Sequence, residues 1–295
     1  MKLLSGKNAV ITGSNRGFGK VIAEAFIKQG ANILICAKNE KQLKDTFDEL
    51  LKIKTKKQQI YSSYADVSNY GSVIDIYNYA TSMFKTVDIL VNNAGIEGAI
   101  GPIETIDIND WKEAINTNLI GTVSMCKIFI PHFKQNNKGK IINLAGGGAT
   151  SGFPFMSSYA VSKTGIVRFS ESIAEELKET GIEVNCISPG PMNTKIFEEM
   201  LSAGPNAIGE KKYQQLLKQK ESKGTDPKKG AALVVFLASE KSNGISGKLI
   251  STLWDKWEDL PNHIDELSNT DLYTLRRITP KDRNLNWGDI NYDFK

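Results

Sequence analysis

The feature that most constrains this chain is a regular alternation of short apolar runs with longer segments of helical periodicity. Seven runs rich in Val and Ile are typical of strands buried on both faces. These predicted strands are Asn8–Thr12, Asn32–Ala37, Gln59–Tyr64, Val87–Asn92, Lys140–Ala145, Glu183–Ser188 and Lys248–Ser251. The predicted helices are Gly17–Gln29, Glu40–Lys52, Ser68–Met83, Asp110–Gln135, Ser157–Glu179 and Pro227–Ser239. The alternation predicts a three-layer α/β/α fold around a doubly wound parallel sheet.

The alternation stops at Ser251, although the chain has 295 residues. We therefore predict one domain over residues 1–251 and a C-terminal extension over 252–295. The extension holds several large aromatic side chains, namely Trp254, Trp257, Trp287, Tyr273, Tyr292 and Phe294. Such a density is typical of an ordered segment, so we expect it to pack on the domain or at an oligomer interface. Stacking of these tryptophans on a sugar ring is the alternative.

The composition excludes several classes of protein. The extension is net acidic, which leaves the first 250 residues with a charge of about +7. That charge is too small to indicate nucleic-acid binding, but it suits an anionic cofactor or substrate. Only two histidines are present, and the three cysteines are scattered, so no zinc site is predicted. The beginning of the chain does not resemble a signal peptide, and no apolar run would span a membrane, so we expect a cytoplasmic protein.

A glycine-rich turn separates the first predicted strand from the first predicted helix. Its residues are Gly13, Ser14, Asn15, Arg16, Gly17, Phe18 and Gly19. Glycines at this place allow backbone amides to approach a pyrophosphate at the helix N-terminus. The turn therefore predicts a dinucleotide site, with a plain tight turn as the alternative.

The ends of the next strands indicate which dinucleotide is bound. An NAD site usually has Asp or Glu at the end of the second strand, but this chain has Ala37 and then Lys38. Together with Arg16, Lys38 could meet a 2′-phosphate, so NADP(H) is predicted in preference to NAD(H); solvated surface cations are the alternative. Residues at the ends of the third and fourth strands should border the adenosine, namely Asp66, Val67, Asn93, Ala94 and Gly95.

Tyr159 and Lys163 lie four residues apart at the start of a long predicted helix. This spacing places both side chains on one face. A nearby ammonium favours the phenolate and should lower the pKa of Tyr159. Tyr159 is thus a candidate proton donor or acceptor for a carbonyl/alcohol pair.

Taken together, these motifs resemble the compact form of the short-chain dehydrogenase/reductase family, which has a Rossmann fold. The resemblance covers about residues 7–251 and implies an NAD(P)-dependent oxidoreductase. By resemblance, Lys163 also holds the nicotinamide ribose and Asn118 anchors a water of the proton relay. The nicotinamide pocket would be shaped by Pro189, Gly190 and Thr194.

The chain departs from the family pattern at one catalytic position. The family usually has a serine about 13 residues before the tyrosine, where this chain has Gly146 or, with a slip of one residue, Ala145. Three alternatives stay open. Backbone N–H groups of the turn around Gly147 could substitute for the hydroxyl, Thr150 or the adjacent Ser151 could fold back into the site, or catalysis could be impaired. If the missing hydroxyl limits turnover, a serine at either position should raise it.

Residues 207–229 contain seven lysines and three acidic residues. This segment is either a solvated helix or a rim that attracts an anionic substrate. We expect hydride transfer between a nicotinamide and a small-molecule carbonyl or alcohol, with sugar-related and phosphorylated compounds as candidate substrates. A reductase of carrier-linked 3-oxoacyl groups and an impaired NADP-binding regulatory or scaffold protein are the alternatives. The resemblance also implies a homodimer or homotetramer that pairs through helices Asp110–Gln135 and Ser157–Glu179.

Overall fold

Seven parallel strands form one sheet in a computed structural model that describes residues 2–222 and 224–288. The strands are β1 (Asn8–Thr12), β2 (Asn32–Ala37), β3 (Ile60–Tyr64), β4 (Ile89–Asn92), β5 (Gly139–Leu144), β6 (Ile182–Ser188) and β7 (Leu249–Ser251). Their order is β3-β2-β1-β4-β5-β6-β7. The order reverses between β1 and β4, which opens a crevice at the carboxyl ends of these strands. The predicted fold class is confirmed.

Helices cover both faces of the sheet. They are α1 (Gly17–Lys28), α2 (Glu40–Leu51), α3 (Tyr70–Phe84), α4 (Ile108–Ala114), α5 (Gly121–Gln135), α6 (Ser157–Glu176), α7 (Lys195–Ile208), α8 (Glu210–Glu221), α9 (Pro227–Ala238) and α10 (Ile264–Asn269). The helix predicted as one piece over Asp110–Gln135 consists of α4, a π-helical segment (Ile115–Ile120) and α5. Two helices, α7 and α8, occupy a region for which the alternation predicted no element. No helix within the described ranges is long and apolar enough to cross a membrane.

Two apolar layers hold the sheet between its helices. On one face, Phe26 of α1 and Phe236 of α9 belong to a single buried cluster with the strands. On the other face, Phe129 and Phe133 of α5 pack with Ile76 of α3. The central strands β1, β2, β4, β5 and β6 are buried on both faces, which explains why they are largely apolar and do not alternate.

The residues after β7 extend the first of these layers. The Trp257 ring lies 5.2 Å from the ring of Phe236, measured between centroids. Leu260 and Leu267 are buried in the same cluster as α1 and α9. Tyr292 and Phe294, two of the aromatic residues noted in the sequence, lie outside the described residues.

The same extension also covers the outer edge of β7. The backbone N–H of Leu249 donates to the carbonyl of Tyr273 at 2.8 Å. The buried Lys248 ammonium donates to the carbonyls of Thr270 and Leu272, at 3.2 and 3.0 Å. Backbone groups that an edge strand would otherwise expose to pairing are therefore partly used within the chain.

Candidate active site

A cleft of about 1140 Å³ opens at the carboxyl ends of the strands. Pockets for one drug-sized ligand occupy roughly 300–1,000 Å³, so this cleft has room for a dinucleotide and a second molecule. Most of the residues predicted for the site line it. They are Gly13, Asn15, Arg16, Gly17, Phe18, Gly19, Lys38, Asp66, Val67, Asn93, Ala94, Gly95, Ala145, Gly146, Gly147, Tyr159, Lys163, Pro189, Gly190 and Thr194.

Three predicted residues do not line the cleft. Ser14 is buried, and its hydroxyl donates to the carbonyl of Ile11 at 2.7 Å, so it stabilises the turn from behind. Asn118 is buried beneath the loop that follows β4. Thr150 is exposed outside the cleft, as is Ser151. The expectation that one of these two hydroxyls folds back into the site is not met in this structure, because the turn after β5 carries them outward.

The glycine-rich turn forms a close-packed cradle. A Cβ on Gly13 would lie 2.6 Å from the Cα of Ala94, and a Cβ on Gly19 would collide with the carbonyl oxygen of Gly13. Gly13 also has a φ of +62°, which favours glycine. By contrast, a Cβ on Gly17 would meet nothing within 4 Å, so the space above the start of α1 is open. This combination fits a pyrophosphate at the helix N-terminus.

The two cations predicted to meet a 2′-phosphate lie at this end of the cleft. Arg16 precedes α1 and is exposed. Lys38 is also exposed, and its ammonium lies 2.9 Å from a carboxylate oxygen of Asp66. The sequence predicted that Asp66 borders the adenosine, but it did not indicate this ion pair with Lys38. Ala37, at the end of β2, presents a methyl group to the cleft where a carboxylate would hold ribose hydroxyls.

Asn118 positions the loop that follows β4. Its Oδ1 accepts from the N–H of Ile96 at 2.8 Å, and its Nδ2 donates to the Ile96 carbonyl at 2.8 Å and to Ser162 Oγ at 3.0 Å. These contacts hold Gly95 between Asn118 and Lys163, since a Cβ on Gly95 would lie 3.5 Å from the Lys163 Nζ. The side chain of Asn118 is thus committed to backbone support, and its part in a proton relay stays a prediction.

Tyr159 and Lys163 project from the first turns of α6 into the cleft. The Lys163 ammonium is buried, donates to the Leu144 carbonyl at 2.8 Å and lies 5.6 Å from the Tyr159 ring centroid. Burial lowers the pKa of Lys163 to about 8. Burial also raises the pKa of Tyr159 to about 12, with a smaller contribution from the charge of Glu97. The expected lowering of the Tyr159 pKa is therefore wrong for this structure, because burial of the phenol raises its pKa.

Gly146 lies directly beside the Tyr159 hydroxyl. A Cβ on Gly146 would be 2.7 Å from the Tyr159 Oη, whereas a Cβ on Gly147 would meet only Phe153, at 3.9 Å. The N–H groups of Gly146 and Gly147 donate to no acceptor among the described residues, and both glycines line the cleft. The position of the family's serine therefore offers backbone donors but no hydroxyl.

The sequence analysis missed a contact between two carboxyl groups, of which Glu97 lines the cleft. Glu97 follows β4, and Glu199 lies on α7. Burial raises the pKa of Glu97 to about 7, and a hydrogen bond with Glu199 adds to this effect. Glu199 also accepts from the ammonium of Lys195 at 2.6 Å. Two carboxyl groups in contact share a proton, which Glu97 carries. The only signal for this pair was the position of Glu97, two residues after the Asn-Asn-Ala-Gly motif.

The far end of the cleft combines residues of the loop after β6 with the start of the C-terminal extension. Pro189, Gly190 and Thr194 line it, as does Trp254, whose side chain is 86% exposed. A Cβ on Gly190 would lie 2.8 Å from a methyl group of Leu253. The extension therefore contacts the cleft wall directly, which the family pattern did not indicate.

Comparison with known proteins identifies the family. A model of the short chain dehydrogenase family matches residues 7–203. The chain belongs to this family. Its members with dehydrogenase and reductase activities imply an oxidoreductase that uses a nicotinamide cofactor.

Individual relatives act on different substrates. The chain is 33% identical to D-beta-hydroxybutyrate dehydrogenase of Cupriavidus necator, over 84% of this chain and 96% of the relative. It is 31% identical to glucose 1-dehydrogenase 2 of Bacillus subtilis, over 83% and 93% of the two chains. The solved structure of levodione reductase matches with a TM-score of 0.77 at 24% identity, over 88% of this chain and 99% of that one. This last likeness shows the fold.

Proposed function

We propose that this short-chain dehydrogenase is an NADP(H)-dependent oxidoreductase that interconverts a carbonyl compound and an alcohol. The observation that supports this best is the arrangement of one continuous cleft. The glycine cradle lies at one end, and the Tyr159 hydroxyl and the Lys163 ammonium lie at the wall where a second molecule has room. A positioned proton donor beside a dinucleotide site is what carbonyl reduction requires.

The preference for NADP(H) is supported by the charges around the adenosine end. Ala37 has no carboxylate to repel a 2′-phosphate, and Arg16 and Lys38 line the cleft nearby. The Lys38–Asp66 ion pair is exposed on its lysine side. Exposed pairs contribute at most about 1 kcal/mol, so a phosphate dianion can compete with Asp66 for the Lys38 ammonium.

A bound nicotinamide supplies or accepts the hydride. The residues of this chain donate the proton and stabilise the negative charge that its loss leaves behind. Because its pKa is raised, Tyr159 keeps its proton at neutral pH and can donate it to a carbonyl oxygen during reduction. The Lys163 ammonium, fixed by the Leu144 carbonyl, then stabilises the phenolate that remains.

The carbonyl oxygen also needs a donor that replaces the family's serine. We assign this role to the free N–H groups of Gly146 and Gly147, because both residues line the cleft and Gly146 lies next to the Tyr159 hydroxyl. Backbone donors of this kind are effective because they are fixed before the reaction begins. If these amides do not face the substrate, the missing serine favours the alternative of an impaired NADP-binding regulatory protein.

The test combines binding and turnover in wild type and Tyr159→Phe. Calorimetry should show at least about tenfold tighter binding of NADPH than of NADH by the wild type, because a 2′-phosphate gains charge-assisted contacts. Tyr159→Phe should bind NADPH as well as the wild type does, but should lose roughly 100- to 10,000-fold in turnover of any carbonyl that the wild type reduces.

Tyr64→Phe is the matched control, since Tyr64 is exposed on β3 and does not line the cleft. Equal affinities for NADPH and NADH would contradict the cofactor preference. Tight NADPH binding by the wild type, without turnover across a broad panel of ketones and aldehydes, would favour the regulatory alternative.

A further inference from the structure

One lysine of the Lys-rich segment differs from its neighbours. Lys212, on α8, is half-buried and lines the cleft. The other described lysines of the segment are exposed and do not line it; they are Lys211, Lys218, Lys220, Lys228 and Lys229. Most of the described part of the segment is therefore a solvated surface, and one ammonium among its described lysines enters the site.

Lys212 has no counterion among the residues that the structure describes. No carboxylate lies within 4.0 Å of its Nζ, and it donates no hydrogen bond there. The Nζ lies 4.6 Å from the centroid of the Phe153 ring, and burial lowers the pKa of Lys212. Lys195, which also lines the cleft, is by contrast paired with Glu199. A half-buried ammonium without a partner has lost solvation that a bound anion would restore.

The surroundings of Lys212 are apolar and adjoin Tyr159. An apolar cluster from α7, α8 and the residue before α6 packs against Phe153 and Tyr159; its members are Met156, Phe197, Met200, Ile208 and Leu216. The ring of Phe153 lies 6.4 Å from the ring of Tyr159. Phe153 is thus a neighbour of both groups, and the sum of the two distances is the upper limit on the separation of the Lys212 ammonium from the Tyr159 ring centroid. A molecule whose carbonyl meets Tyr159 can reach Lys212 across this apolar wall.

We propose that Lys212 is the anion-binding residue of the substrate site, and that the substrate is a carbonyl compound or alcohol with an apolar body and one carboxylate. This proposal rests on the function proposed above. A single ammonium suits a carboxylate, whereas phosphate sites usually combine several donors, including arginine or a helix N-terminus. Arg16 is the one arginine that lines the cleft among the described residues, and it belongs to the dinucleotide end.

The first experiment measures binding without chemistry. Phenylacetate, phenylacetamide and benzyl phosphate are titrated by calorimetry into the NADPH-loaded and the cofactor-free protein. Phenylacetate should bind roughly 10- to 100-fold more tightly than the amide, which is the effect of one charge-assisted contact. Lys212→Met should abolish this difference. Lys211→Met, which removes a neighbouring exposed charge, should leave it unchanged.

The second experiment measures turnover of straight-chain oxo acids of increasing length and of their methyl esters. The wild type should prefer the acids through a lower KM, with an optimum at one chain length. Lys212→Met should raise KM for the acids and remove their advantage over the esters, whereas Lys211→Met should leave KM for the acids unchanged.

The outcomes separate the two proposals. If phenylacetate binds through Lys212 but no oxo acid or ester is reduced, the Lys212 site stands and the proposed oxidoreductase activity fails. If acids and esters are reduced equally and Lys212→Met changes neither, the Lys212 assignment is overturned and the activity stands. Tighter binding of benzyl phosphate than of phenylacetate would contradict a carboxylate as the preferred anion. Equal binding of phenylacetate and phenylacetamide would contradict an anion-binding role for Lys212.

Discussion

At the scale of single residues, the distinctive position is Gly146 beside the Tyr159 hydroxyl. There is no space for a side chain at residue 146 while Tyr159 keeps its place, since a Cβ would lie 2.7 Å from the Oη. Overlap of that size forces the phenol or the backbone to move. The observed position of the Tyr159 phenol therefore depends on the absence of a side chain at residue 146. A serine introduced at Gly146 would add a hydroxyl but would also displace Tyr159.

We predict that Gly146→Ala lowers kcat by roughly 10- to 1,000-fold, because it shifts the proton donor and narrows access to the Gly146 amide. Gly146→Ser displaces Tyr159 to the same extent but adds a donor, so it should turn over faster than Gly146→Ala. Steady-state kinetics on a reduced carbonyl, together with NADPH calorimetry, measures both effects.

Gly147→Ala is the control for this pair. A Cβ on Gly147 makes only an ordinary contact with Phe153, and its φ is not in the left-handed region. Turnover by Gly147→Ala should stay close to that of the wild type. Wild-type turnover by Gly146→Ala would show that Tyr159 does not depend on the space at residue 146.

At the scale of elements, the contact between α7 and the loop after β4 depends on a shared proton. Glu199 and Lys195 face Glu97 from α7. The charge of Arg16, at the start of α1, acts on Glu199. Tyr159, on α6, also lies near Glu97. One oxygen of Glu199 is buried with no donor among the described residues other than a protonated Glu97. The helix is therefore held to the site through a group that titrates near neutral pH.

We predict that α7 loosens as the pH rises through about 7. The pKa of Glu97 is raised from an ordinary 4.5 to about 7, so the folded state binds more protons than the unfolded chain between these values. The stabilisation is thus complete below about 4.5 and lost as the pH passes the folded value. Hydrogen-exchange protection of α7 amides, corrected for intrinsic exchange, should fall roughly tenfold between about pH 6 and pH 8.

Glu97→Gln provides the comparison, since the amide keeps a donor toward Glu199 at every pH. Its α7 protection should not change across the same range. A fall of equal size in Glu97→Gln would assign the effect to another group and contradict the prediction.

At the scale of the whole molecule, we propose that the extension after Ser251 is an integral part of the domain. It adds Trp257, Leu260 and Leu267 to the core layer of α1 and α9, and it contributes Trp254 to the cleft. It also covers the edge of β7 through the Tyr273 carbonyl. Farther along, the N–H of Leu275 donates to a carboxylate oxygen of Glu171 on α6 at 2.7 Å.

We predict that a chain ending at Asn269 keeps its fold but associates into larger assemblies than the full chain. This truncation retains the buried residues of the extension and removes the acceptors of Leu249 and Lys248, which exposes the β7 edge. Unpaired edge strands favour pairing between chains. Light scattering coupled to size-exclusion chromatography measures the change in mass.

A chain ending at Arg283 is the matched control, because it keeps the Tyr273 and Leu275 contacts. It should have the assembly state of the full chain. The prediction is wrong if the chain ending at Asn269 has the same mass as the full chain.

Much of the fold was predictable because the apolar residues that favour a strand locally are also those that a parallel sheet covered by helices has to bury. The seven predicted strands match those observed to within a few residues, and the fold class is confirmed. The break in the helix predicted over Asp110–Gln135 was not visible, since a π-helical turn differs from an α-helix by one residue per hydrogen bond and leaves little trace in hydrophobic spacing.

The candidate site was predictable only where a motif lies in one stretch of chain. The glycine cradle and the Tyr159–Lys163 pair are of that kind, and their residues line one cleft. The Glu97–Glu199 pair, the entry of Lys212 into the cleft and the contact of Leu253 with Gly190 join distant segments. Nothing in the spacing of such residues encodes their meeting.

The sequence by itself determined the seven strands and the fold class, because these follow from periodicity, and its contiguous motifs indicated the family. The tertiary structure alone decided which of several lysines enters the cleft, that burial raises the pKa of Tyr159, and what covers the β7 edge. These properties depend on burial and on distances between segments remote in the chain, and desolvation and electrostatic interactions act through space, not along the sequence.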